Sequence, residues 1–161
     1  MSMQPFEQVV AAHGSVVMRV CRAVLGADDA AQDAWSETFI AALRAYPDLR
    51  PDSNVRGWLV TIAHRKAIDQ LRIRSLTASS TDRPPEIPTV DDHHPGLDND
   101  LRSALEALAP KQRHAVVYRY LADLSYAEIG ELLDSNEAAA RRSAADGIAK
   151  LRSTYPKETP S

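Results

Sequence analysis

Residues 54–74 read NVRGWLVTIAHRKAIDQLRIR. Val55, Leu59, Ile62, Ala63, Ala67 and Leu71 recur at spacings of three and four, the pattern of a helix with one buried face. A second stripe at helical spacing holds Trp58, Thr61, Arg65 and Arg72. One aromatic ring and several cations on the side away from the core suit a helix that meets a polyanion. The spacing predicts a helix from Asn54 to about Arg74. Its basic end, Arg72-Ile73-Arg74, also complements the helix dipole, so those arginines have a structural reason to exist as well.

Outward from this stretch the helical period continues in both directions. Phe6, Val9, Val10, His13, Val17, Val20 and Val24 share a face of a first helix that Gly26 ends. Asp28 or Asp29 caps a second helix running to about Tyr46, where Pro47 stops it. Its core face is Ala31, Trp35, Phe39, Ala42 and Tyr46. Its other stripe, Asp33, Glu37, Ile40 and Arg44, reads either as a solvated face or, because Ile40 sits among charges, as a surface for a partner. From Ser75 to Leu97 the composition turns to Ser, Thr, Pro and Asp, as in an extended linker; His93 and His94 are adjacent and read as solvated linker residues. Leu101, Leu105 and Leu108 then make a short helix, and Pro110 opens another that carries Ala115, Val116, Tyr120 and Leu121. Ser125 and Glu128 form a capping box ahead of Ile129, Leu132 and Leu133. Asp134-Ser135-Asn136 is a turn, and a last helix from Glu137 to about Arg152 buries Ala140, Ala144, Ile148 and Leu151. Two helices joined by so short a turn fit a helix-turn-helix over Tyr126 to Ala145.

The expected fold is all-α: two small helical domains, residues 1–75 and 98–155, joined by an acidic, flexible, Pro-rich linker over 76–97. Charge follows the same division. The net formal charge is −3. Residues 1–75 hold nine Lys/Arg against eight Asp/Glu, 76–97 one against four, and 98–161 nine against ten. Neither helical part is strongly basic. Phosphate neutralisation supplies most non-specific DNA affinity, so any DNA role needs a partner. Cys21 is the one cysteine, which excludes an intramolecular disulfide and a multi-Cys zinc site; it reads as a small core residue. No Gly-rich phosphate loop, metal-ligand spacing or nucleophile–base grouping appears. A non-catalytic protein without metal or cofactor is expected. No apolar run is read as long enough to cross a membrane, and MSMQPFEQVV lacks a secretory pattern, so the expected location is cytoplasmic without membrane insertion.

Taken together, the motifs resemble the extracytoplasmic-function sigma factors, the smallest bacterial members of the sigma-70 superfamily. The resemblance rests on Asp33-Ala-Trp-Ser-Glu37-Thr38-Phe39, on Val55-Arg-Gly-Trp58-Leu59-Val-Thr-Ile62-Ala63, and on Ala67-Ile68-Asp69-Gln-Leu71-Arg72. In the second half it rests on Leu105-Glu-Ala-Leu108-Ala-Pro110-Lys-Gln112-Arg113, Tyr118-Arg-Tyr120-Leu121 and Leu124-Ser125-Tyr126-Ala127-Glu128-Ile129-Gly-Glu131-Leu132-Leu133. It covers nearly everything except the linker and tails.

The resemblance implies a transcription initiation factor with core RNA polymerase and promoter DNA as partners. The first domain (region two) would dock on the β′ clamp helices through Asp33, Glu37, Thr38, Phe39 and Ile40. It would recognise and melt the −10 element through Arg56, Trp58, Thr61, Arg65, Lys66 and Arg72. The second domain (region four) would meet the β flap and read the −35 element through Ser125, Tyr126, Glu137, Arg141 and Arg142. Many members are held inactive by an anti-sigma factor. Two departures stand out. His64-Arg65 replaces the common Arg-Asn, which implies altered base selection near −10. The last helix carries Ser143 and Asp146 at positions often basic, leaving Arg141 and Arg142 as the cations for groove contact, with Gly147 costing about 1 kcal/mol of helix stability. Trp58 keeps two readings, a stacking platform for an unpaired base or core packing. Arg56 and Lys66 read as phosphate contacts or plain surface cations. The competing functions are a stand-alone helix-turn-helix regulator, disfavoured by the weak positive charge, and a decayed sigma factor acting through protein contact alone.

Overall fold

A computed structural model describes residues 4–26, 28–80 and 99–154, so the expected linker, with His93 and His94, lies mostly outside the described residues. All secondary-structure elements within them are helical. The chain divides near residue 90 into two compact units.

The first unit is three helices: α1 (Phe6–Leu25), α2 (Asp28–Ala45) and α3 (Val55–Ser80), each packed on the other two. Gly26 ends α1 in the left-handed region, φ 71°, and its N–H bonds back to the Arg22 carbonyl at 2.7 Å, which is the reason a glycine stands there. Val9, Val17, Val20 and Cys21 of α1 are buried against Ala31, Ala34 and Ala42 of α2 and Leu59, Val60 and Ala63 of α3. Contrary to the sequence reading, α1 is long and apolar enough to cross a membrane by length and composition; its buried residues are core of this bundle. Burial pushes the Cys21 thiol pKa up to about 12.

Two expectations for α3 are corrected. The helix does not stop at Arg74 but runs on to Ser80, because no helix breaker follows until Pro84. Its core face is also rotated. Gly57, Val60, Ala63, His64 and Ala67 are buried with Leu59, whereas Ile62 and Leu71 are half-buried. Arg74 donates from Nη1 to the Leu25 carbonyl at 3.1 Å, tying the end of α1 to α3. An aromatic ladder crosses the unit, with ring centres 4.6 Å apart for Trp35 and Phe39, 6.3 Å for Phe39 and Phe6, 5.2 Å for Phe6 and Tyr46, and 6.4 Å for Tyr46 and Trp58. Trp35 is half-buried rather than core, and its indole N–H donates to the Gly14 carbonyl at 2.9 Å.

The second unit holds α4 (Asn99–Glu106), α5 (Pro110–Val116), α6 (Tyr126–Leu132) and α7 (Glu137–Thr154). Leu108 falls outside α4 yet is buried. After α5 the chain makes a π turn over Val117–Leu121, closed by the Ala122 N–H on the Val117 carbonyl at 3.1 Å. The wider turn shifts the phase of the side chains. Tyr118 is thereby fully buried, and Tyr120, expected in the core, is 59% exposed. The capping box forms on both arms: Glu128 N–H to Ser125 Oγ at 3.1 Å and Ser125 N–H to Glu128 Oε1 at 3.0 Å. In α7, Ala140, Ala144 and Gly147 are buried, while Ile148 and Leu151 are half-buried. Gly147 has a packing purpose the sequence did not reveal. A Cβ there would lie 2.6 Å from Val116 Cγ2 and 3.2 Å from the Gln112 carbonyl oxygen, so only glycine lets α5 and α7 cross this closely.

Candidate nucleic-acid interface

On α2 the docking candidates separate into two groups. Asp33 and Glu37 are exposed, and Ile40 is 52% exposed. Thr38 and Phe39 are not on this surface. Thr38 is 0% exposed with its hydroxyl donating to the Ala34 carbonyl at 2.6 Å, and Phe39 is 7% exposed inside the aromatic ladder. A threonine can be buried this way because its hydroxyl bonds to the preceding turn. Leu43, 56% exposed and one turn beyond Ile40, extends the stripe. The spacing of three from Ile40 was the signal for it.

On α3 the side chains proposed for DNA do not form one uniform row. Arg65 and Arg72 are exposed, Lys66, Arg56 and Trp58 half-buried. His64, the other half of the departure, is buried, so Arg65 alone of that pair faces outward. Thr61 donates its hydroxyl to the Gly57 carbonyl at 2.8 Å. Trp58 leans on Tyr46 with the rings inclined by 34°, so it packs on the bundle with part of its surface still open. Arg56 lies beside His13. Burial first, and that guanidinium second, hold the His13 pKa below its ordinary value. The fold also brings together groups from separate stripes. Glu37 of α2 and Lys66, Asp69, Gln70, Arg72 and Ile73 of α3 line one open cleft of about 370 Å³.

In the second unit, a short turn over residues 133–136 joins α6 and α7. Asp134 takes φ 53°. The Ser135 N–H bonds to the Gly130 carbonyl at 2.8 Å, and Asn136 caps α7 by accepting the Ala139 N–H on Oδ1 at 2.8 Å. A Cβ on Gly130 would sit 2.6 Å from the Asn136 carbonyl carbon, so the close approach of α6 to this turn requires glycine. The outer side of α7 presents Glu137, Ala138, Arg141, Arg142 and Ala145 around a shallow open depression. Arg141 Nη2 pairs with Glu137 Oε1 at 3.3 Å, and its guanidinium is 5.0 Å from the Tyr126 ring centre. Arg119 lies 4.6 Å from the same ring. Ser125, the remaining candidate, is engaged in the capping box. The sequence reading missed Arg119, which reaches Tyr126 from within the π turn.

Two family models match the two units in order: Sigma-70 region 2 over residues 9–77 and Sigma-70 region 4 over residues 98–151. The RNA polymerase sigma factor CarQ of Myxococcus xanthus is 31% identical over 151 residues, covering 91% of this chain and 87% of that protein. The ECF RNA polymerase sigma factor SigE of Mycolicibacterium smegmatis is 29% identical, covering 98% of this chain and 64% of its own length. Among solved structures, the sigma factor RpoE in complex with the anti-sigma factor NepR from Bartonella quintana has the same fold, with a TM-score of 0.81 at 18% identity over 96% of this chain and 98% of RpoE. Region 2, then region 4, each on its own helical unit with a helix-turn-helix in the second, place this chain in the extracytoplasmic-function group of the sigma-70 family, a family of RNA polymerase sigma factors.

Proposed function

We propose that this sigma factor directs promoter-specific initiation by docking on core RNA polymerase through the outer stripe of α2, melting the −10 element along α3, and reading the −35 element with α7. The observation that carries the reading is the shared cleft, in which Glu37 stands beside Lys66 and Arg72. Polymerase-facing and DNA-facing groups are thereby adjacent on one unit. Opening DNA breaks stacking of about 1.4 kcal/mol per step. An unpaired base stacked on an aromatic ring recovers about 1–3 kcal/mol, and Trp58, backed by Tyr46, offers such a surface. Arg65 and Arg72 are exposed and suited to the displaced strand. The docking surface is Asp33, Glu37, Ile40 and Leu43, with Thr38 and Phe39 supporting it from beneath. The chain acts where RNA polymerase acts, in the bacterial cytoplasm, and as a regulatory rather than a catalytic subunit. An anti-sigma partner belongs to the same proposal, since RpoE is bound to NepR.

The test is run-off transcription from a genomic fragment library by purified core polymerase, with and without the chain. Promoter-selective transcripts that need the chain are expected; none, together with no core complex, would sink the proposal. The double variant Glu37→Ala/Ile40→Ala should unfold like the parent yet bind core at least about 10-fold more weakly, on the scale of losing about 1.4 kcal/mol at an interface. Undiminished binding would remove the α2 stripe from the docking surface.

A further inference from the structure

The two consecutive arginines of α7 are not equivalent. Arg141 is held twice, by Glu137 at 3.3 Å and over the Tyr126 ring at 5.0 Å. Arg119, outside the helix-turn-helix, approaches the same ring at 4.6 Å and donates from Nη1 to the Leu124 carbonyl at 3.1 Å. Arg142 has no ion pair or ring contact among the described residues and is exposed on the same outer face as Ala138 and Ala145.

We infer that Arg142 is the base-reading residue of this chain, and that Arg119 and Arg141, stacked about Tyr126, form a fixed clamp on the DNA backbone beside it. The inference rests on the −35 reading proposed for α7. A stacked, paired guanidinium has its orientation set before DNA arrives and loses little side-chain freedom on binding. It keeps unused N–H donors, since Arg119 commits one of its five to Leu124. Such a group suits a phosphate, which has the same shape at every sequence. Reading a base edge requires the plane of the guanidinium to align with O6 and N7 of guanine, and only Arg142 is unconstrained enough to adopt that alignment. Its neighbours Ala138 and Ala145 offer methyl groups alone, the apolar contact that fits a thymine methyl. Glu137 offsets one charge of the clamp, so the clamp contributes a net of about one cation, and Tyr126 is its positioning residue.

The experiment uses holoenzyme assembled from core polymerase and the full chain, on promoter fragments varied at each −35 base pair, over a salt series. The parent protein comes first. If scrambling the −35 element leaves its binding unchanged, the −35 reading itself fails and this inference fails with it. Given a −35 dependence, Arg142→Ala should flatten the preference at one or two positions by about 10-fold or more, chiefly at a guanine. Arg119→Ala should weaken binding to all variants alike and reduce the slope of log affinity against log salt by about 1. Arg119→Lys should restore most of that slope, which a folding defect would not allow. Tyr126→Leu should behave like Arg119→Ala, and Tyr126→Phe like the parent. Arg119→Ala with unaltered affinity and slope, or with a base-specific change like that of Arg142→Ala, would overturn the inference while leaving the −35 reading intact.

Discussion

The two units build their working surfaces in opposite ways. In the first, core and surface residues are interleaved within a single turn of helix. Glu37 and Ile40 face outward while Thr38 and Phe39 between them are buried, and Trp58 belongs both to the aromatic ladder and to the open side of α3. In the second, the two roles are separated. The inner side of α7 is Ala140, Ala144 and Gly147, and the outer side carries the arginines. Beneath the outer stripe of α2 lies the ring of Phe39, and beneath the outer side of α7 lie close helix approaches at Gly130 and Gly147. A first-unit surface is therefore sensitive to loss of volume beneath it, and a second-unit surface to added volume.

The sharpest way to break that contrast is Phe39→Ala. Removing a buried aromatic costs about 3–5 kcal/mol, and urea unfolding of the first unit should shift by that much; a shift below about 1 kcal/mol would show that Phe39 does not anchor it. Next in size is Gly147→Ala. Helix propensity would gain about 1 kcal/mol, but the clash with Val116 and the Gln112 carbonyl costs about 1–3 kcal/mol. Net destabilisation of the second unit is expected, and a more stable variant would mean that α5 and α7 can separate without loss. The smallest effect is in His13. Its folded pKa is depressed, so the unfolded chain binds the proton more readily. The contribution is fully present above the unfolded value near 6.5 and declines as pH falls below it. Between pH 7.5 and 5.5 the melting temperature of His13→Gln should fall less than that of the parent; an equal fall would mean that His13 titrates alike in both states.

The sequence was informative where local chemistry decides the structure. Gly26 ends α1, Pro110 opens α5, and the Ser125–Glu128 box opens α6, because a helix end needs a particular backbone angle or partner at one position. It was less informative where a choice lies between equivalent stripes. In α3, Val55, Leu59, Val60, Ile62, Ala63, Ala67, Ile68 and Leu71 are apolar on several sides. Periodicity then cannot say which stripe meets α1 and α2, and packing selected Val60 over Ile62. The site residues followed the same rule. Asp33, Glu37, Arg65 and Arg72 are exposed as expected of charged side chains. Thr38 was misplaced because its hydroxyl is satisfied within its own helix. Arg119 was missed and Tyr120 misplaced because a π turn, which shifts all later side chains, left no recognisable trace in the residue types.

The aromatic ladder has an optical consequence. Both tryptophans of the chain, Trp35 and Trp58, lie within it. Indole emission therefore reports on the first unit alone, with one fluorophore on α2, the helix proposed for polymerase docking, and the other on α3, the helix proposed for the −10 element. On the −10 role proposed for α3, quenching of Trp58 by an unpaired base would register promoter opening, against a second unit whose described residues contribute only tyrosine light.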